Sequence, residues 1–197
     1  MIPRRPTLAV RALLGAVITT VLIACSAPAV ASFDPTGPCT TDGKAPGAYP
    51  DLEARIPKTY EGVGPVTLDS GRHCTAENLG TLATQGFTEV RFAGGTWDFG
   101  GSRSAALVVF RAPGLTADEM ALFYDSSASH ANRTQVTGRS NPTIAGRPGH
   151  RLDTLTGDRT QTVVVWPAAD PDTVNVVLSN DLPDPKIQSA VDAFAGR

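Results

Sequence analysis

Strands come in runs in this sequence, and that pattern limits the fold more than any other feature. Val174, Val176 and Leu178 alternate with Thr173, Asn175 and Val177. Upstream, Gln161 to Trp166 is a β-branched run stopped by Pro167, and Arg151 to Leu155 precedes it. Short polar turns at Gly157-Asp158 and Asp170 to Asp172 separate the three, so they are expected to be consecutive antiparallel neighbours.

Further strands are expected earlier in the chain. Ala105 to Phe110 is apolar on both faces, as in a central strand. Thr88, Val90 and Phe92 alternate with Glu89 and Arg91, which reads as a half-buried strand with one wet face. Gly94-Gly95 and Gly100-Gly101 bracket Thr96 to Phe99, so a hairpin is expected there, with Trp97 exposed as a contact residue. Trp166 ends an apolar strand and reads as core. Val63 to Leu68 and Thr134 to Thr137 are shorter strand candidates.

Helix signals fall between these runs. Asp51 reads as the N-cap of a short helix carrying Leu52 and Ile56, closed by Pro57. Thr75 can cap a helix with Leu79, Leu82 and Ala83 on one face, ended by Gly86. Thr116 and Glu119 have capping-box spacing, with Leu115 and Met120 as the hydrophobic staple. Met120, Phe123 and Tyr124 then form the expected buried stripe. Asp184 reads as the cap of a last helix with Pro185 in its first turn, and Ile187, Ala190, Val191 and Phe194 share one face. The expected fold is a single α+β domain, a largely antiparallel sheet with helices packed on one face. The helix–strands–helix order from Thr116 onward resembles PsbP-like α/β/α sandwiches.

Residues 1–31 read as an export signal. Arg4, Arg5 and Arg11 precede an apolar run from Ala12 to Ala24 that is too short to span a bilayer. Two processing sites compete. Leu22-Ile23-Ala24-Cys25 resembles a lipobox, in which Cys25 would carry lipid and tether the chain to a membrane. Ala29-Val30-Ala31 is an A-x-A site for free secretion. Both place the protein outside the cytoplasm. Only Cys39 and Cys74 then remain in the folded part, and an even pair in an oxidising compartment is expected to form a disulfide. Residues 32–50 read as an extended Gly/Pro-rich arm held at Cys39, and residues 51–197 as the α+β domain.

Charge narrows the partners. The first 31 residues hold 3 of the 17 basic residues and none of the 19 acidic ones, so the remainder is 14 against 19 and mildly acidic. Such a domain has no overall electrostatic reason to bind nucleic acid. Arg133, Arg139, Arg147, Arg151 and Arg159 lie close in sequence with His150 among them. Arg133, Arg147 and Arg151 are the candidate ligand residues, because guanidinium groups gathered on one face would bind an anionic small molecule or a protein partner.

Catalytic signals are sparse. The sequence contains no G-x-S-x-G, S-x-x-K, H-E-x-x-H or C-x-x-C, and no P-loop or dinucleotide fingerprint. His73, His130 and His150 lack the close spacing of a zinc half-site, so no metal or cofactor is expected. A hydrolytic site assembled around His150 and Asp153, with Ser140 as nucleophile, is the alternative to a binding role.

Phe33-Asp34-Pro35-Thr36-Gly37-Pro38-Cys39, Tyr49 to Pro57, Ser70 to Cys74, Arg91 to Trp97 and Ala112 to Thr116 together resemble a group of uncharacterised exported proteins of high-GC bacteria. The resemblance covers most of the chain after the signal and implies an exported domain without naming a catalytic residue. The expected function is therefore a non-catalytic extracytoplasmic domain, binding a ligand or partner at the bacterial cell surface.

Overall fold

The structure, a computed structural model, describes residues 33–195. The export segment 1–31, including Cys25 and the site after Ala31, lies outside the described residues. In chain order the elements are β1 (Gly43–Ala45), α1 (Pro50–Glu53), β2 (Thr67–His73), α2 (Ala76–Leu79) and α3 (Thr81–Thr84). β3 (Val90–Asp98), β4 (Ser104–Arg111), α4 (Ala117–His130) and β5 (Thr134–Ser140) follow. The chain ends with β6 (Thr143–Ile144), β7 (Arg147–Pro148), β8 (His150–Thr156), β9 (Arg159–Pro167), β10 (Thr173–Asn180) and α5 (Asp184–Ala195).

Eight strands form one antiparallel sheet in the order β1-β2-β3-β4-β10-β9-β8-β5, and β6 and β7 pair separately. The domain is α+β. β8, β9 and β10 are consecutive neighbours, as their short turns require. The helices, however, cover both faces of the sheet and not one. α1 and α5 lie over a core containing Ile56, Trp97, Leu107, Trp166 and Phe194. α2, α3 and α4 lie over Leu82, Val90, Met120, Val163 and Val176. The reason is visible in β4 and β9. Leu107 and Val109 face one core while Phe110 faces the other, and Val164 and Trp166 oppose Val163 and Val165. Strands apolar on both faces need cover on both faces.

Several local expectations change for similar reasons. Gly94 and Gly95 lie inside β3, and the hairpin turn is at Gly100-Gly101, both at positive φ. A Cβ on Gly95 would come within 3.0 Å of the Trp97 ring and 2.8 Å of Ile56, so the glycine is there for close packing. Trp97 is accordingly buried, not exposed. The helix expected after Thr75 is split at Gly80, which has φ 53° and carries the Phe123 ring against its open side. α1 starts after Tyr49 with no side-chain cap, and the Asp51 carboxylate, inside the first turn, accepts from Arg111 at 2.9 Å. The α5 turn starts from the Pro183 carbonyl, since Asp184 accepts from Arg151. The strand expected at Val63 to Leu68 runs instead from Thr67 to His73.

The N-terminal arm belongs to the sheet. β1 pairs with β2 from Gly43↔Arg72 to Ala45↔Ser70, so the segment 32–50 is more than a tether. Cys39 and Cys74 form a disulfide with Cα atoms 5.4 Å apart. Between them, buried Arg72 donates to the carbonyls of Gly37, Asp34 and Pro38 at 2.9, 3.2 and 3.2 Å. Asp42 reaches across to the start of α2, accepting from the Cys74 and Thr75 N–H groups, the Thr75 hydroxyl and the Asn78 amide.

Burial alone would raise the Asp42 pKa, but those donors outweigh it and hold the carboxyl well below the usual range. A depressed carboxyl contributes stability that is present above its unfolded pKa near 4 and is lost as pH falls through its folded value. Thermal unfolding followed from pH 6 to pH 2 should therefore show the melting temperature dropping below about pH 4. The Asp42→Asn variant should melt lower at pH 6 and lose less on acidification; parallel curves would contradict this role.

Candidate functional site

The candidate arginines do not converge. Arg133 sits at positive φ in the exposed turn after α4, beside the Thr134↔Thr156 end of β5 and β8. Arg151 pairs with Ser140 at the other end, five residues along β8, which is roughly 16 Å at the usual rise of a strand. Arg151 also points to the α5 face, where it contacts Asp153 and Asp184 at 3.0 and 2.7 Å. Arg147 lies on β7 and donates weakly to the Pro167 carbonyl at 3.5 Å. Proximity in sequence did not become proximity in space because strand alternation and hairpin reversal separate these side chains.

The hydrolytic alternative meets the same obstacle. His150 and Asp153 are three apart on one strand, so they face opposite sides of the sheet. His150 Nε2 pairs with Asp118 of α4 at 2.7 Å. Asp153 instead takes Arg151 and accepts from the Thr162 hydroxyl at 2.6 Å. The remaining histidines lie elsewhere. His73 stacks on Phe92 at 4.7 Å, and burial pushes its pKa down despite the opposing pull of Asp42. The His130 ring sits 2.8 Å from the Ser126 carbonyl. Among the described residues, no three His, Cys, Asp or Glu side chains are placed to hold a metal.

What the structure does assemble is a groove beneath α4. This helix starts firmly, with the Thr116–Glu119 capping box formed. Beyond Met120, however, no α4 side chain is fully buried. Phe123, Tyr124 and Ala128 pack against the core while staying partly exposed, and Ala121 and Leu122 stand at its edge. A hollow of about 240 Å³ lies there, floored by Leu152, Val163 and Val165 and roofed by Ala121, Leu122 and Tyr124. Its rim is polar and includes the His150–Asp118 pair, Ser140 and Asn141. Across the same mouth, Arg139 Nε and Nη2 donate to both Asp125 oxygens at 3.0 and 2.6 Å.

The hollow continues in both directions. A second, of about 370 Å³, shares Tyr124, Leu152 and Val163 with the first and runs toward Ala128, Thr134 and Asn180. A third, of about 470 Å³, shares Asp118 and His150 and runs toward Pro148 and Pro167. Small-molecule sites usually occupy about 300–1,000 Å³ and combine apolar walls with a few placed polar groups. Burial raises the Tyr124 pKa, so its phenol stays neutral in the groove. Leu122 is half-exposed at the mouth.

No protein-family model matches the sequence, and no curated protein matches it significantly. A solution structure of cyanobacterial PsbP from Synechocystis covers 70% of this chain and 95% of that one at 12% identity, with a TM-score of 0.32. A likeness that slight carries no weight for function.

Proposed function

We propose that this is a non-catalytic extracytoplasmic binding domain whose ligand is an elongated, largely apolar small molecule held in the groove beneath α4. The observation that carries the reading is the gap between α4 and β8–β9, floored by Leu152, Val163 and Val165. An interior normally closes to crystal-like density. The lining of this gap is more apolar than polar, which suits the alkyl part of a guest. Each methylene buried there contributes about 0.8 kcal/mol, so six contribute about 5 kcal/mol. Association costs of 4 kcal/mol or more consume most of that, which makes polar rim contacts necessary for useful affinity.

The Cys39–Cys74 bridge supports work in an oxidising compartment, together with the export pattern of residues 1–31. On this reading the domain serves at the bacterial cell surface, either tethered through acylated Cys25 or released after Ala31. Intact mass of the protein from its native host distinguishes the two.

Filling the groove tests the binding role. Ala121→Trp places an indole between α4 and the floor. Fluorescence titration with 1-N-phenylnaphthylamine should give saturable binding to the wild type and at least tenfold weaker binding to this variant, at unchanged circular dichroism. Equal binding by both proteins, or no saturable binding by the wild type, would contradict the proposal.

A further inference from the structure

Two side-chain clasps hold α4 over the groove, an Arg139–Asp125 ion pair and a His150–Asp118 hydrogen bond. Asp118 and Asp125 are seven residues apart, two helical turns, and so share one side of α4. Each reaches down to a nitrogen donor on the sheet. His150 at the start of β8 meets Asp118 at 2.7 Å, and Arg139 of β5 grips Asp125 with both ends of its fork. All four side chains line the mouth, with Ala121 and Leu122 between the clasps. The pairs stand in water: the Asp118 side chain is 87% exposed and that of Arg139 is 57% exposed. Ion pairs so exposed are individually weak and exchange readily for another partner of the same charge.

We infer that the ligand of this groove is a single-chain amphipath with an anionic head, which replaces Asp118 and Asp125 on His150 and Arg139 while its tail lies on Leu152 and Val163. The inference rests on the groove reading above. Charge complementarity selects the sign. The Arg139 cation and the His150 ring belong to the sheet, whereas the carboxylates ride on the helix that must yield. Asp118 is already almost fully hydrated, so releasing it needs little change in solvation. A cationic head would have to displace His150, whose side chain is only 30% exposed, from the sheet that forms the floor. Arg139 already holds a carboxylate in the two-point geometry that a carboxylate or phosphate head would adopt. Occupation therefore opens both clasps and lets α4 lift to admit the tail.

Decanoate, decanol and decyltrimethylammonium share one tail and differ in head charge. Calorimetric titration of each into the full-length protein at pH 7 should show decanoate bound at least tenfold more tightly than the other two. Arg139→Met combined with His150→Gln should remove that preference without weakening decanol. Asp118→Asn combined with Asp125→Asn should tighten decanoate at least threefold, an effect that a purely structural pair of clasps would not give. Equal binding of decanoate and decanol, both lost in Ala121→Trp, would overturn the anionic head and leave the groove standing. So would tighter binding of the ammonium, or a loss of decanoate affinity in the double asparagine variant. Failure of all three probes to bind the wild type would overturn the groove itself.

Discussion

Trp97→Ala is expected to lower the unfolding free energy by about 3–5 kcal/mol, the usual cost of emptying a large aromatic site in a packed core. The side chain is 1% exposed. Its indole N–H donates to the Val63 carbonyl at 2.9 Å, and its ring meets Tyr60 edge-to-face at 5.9 Å. Tyr60 continues the cluster, contacting Phe99 at 5.5 Å and donating to the Lys186 carbonyl at 2.8 Å. Trp97 therefore ties the loop before β2 to β3 and, through Tyr60, to α5. Urea unfolding should show a lower midpoint with an unchanged slope, and Trp97→Phe should recover more than half of the loss. A loss below 1 kcal/mol would mean that Trp97 is not the core residue described.

Replacing Cys39 and Cys74 together with alanine should cost a comparable amount. The bridge closes a separation of 35 residues, for which chain entropy gives about 4 kcal/mol. The native contacts around it add a local effect. Without the bridge, the short β1 strand, the Arg72 contacts to three arm carbonyls and the Asp42 cap must hold residues 33–45 alone. Hydrogen exchange should then rise first in this arm and in the first turn of α2, while β4 and β10 stay protected. Uniform exchange across the sheet, or a stability loss below 1 kcal/mol, would contradict the account.

The elements that were legible in the sequence are those decided by neighbours along the chain. The capping box of α4 needs only Thr116 and Glu119, three residues apart, and it is formed. The strands β9 and β10 follow from β-branched runs between turns, and the buried face of α5 from the spacing of Ile187, Ala190, Val191 and Phe194. Covering helices on both faces were foreshadowed by Ala105 to Phe110, apolar in both directions, although the expectation placed them on one. The Gly94-Gly95 pair differs from the expectation because such a pair marks a turn as readily as a close approach, and one of the groups packed on Gly95, Ile56, is remote in sequence.

The candidate site was less legible, and the physical reason is specific. Of the arginines gathered between residues 133 and 159, Arg133 falls in a turn and Arg147 on the separate β6–β7 pair, while side-chain alternation sends Arg139 and Arg151 to opposite faces of the sheet. Arg139 reaches α4, whereas Arg151 reaches α5. The groove had one faint signal, the small residues Ala121 and Ala128, which lie among its lining on α4. Asp118 and Asp125 could have been paired by their spacing, but their partners arrive from β8 and β5 by tertiary packing alone.

The central claim is that the space beneath α4 is a ligand site, and amide chemical-shift mapping with decanoate tests it most directly. The account predicts saturable shifts concentrated at Ala121, Leu122, Tyr124, Leu152 and Val163, with His150 and Arg139 moving in step. Saturable shifts confined to the α1–α5 face, or none at millimolar decanoate, would contradict it.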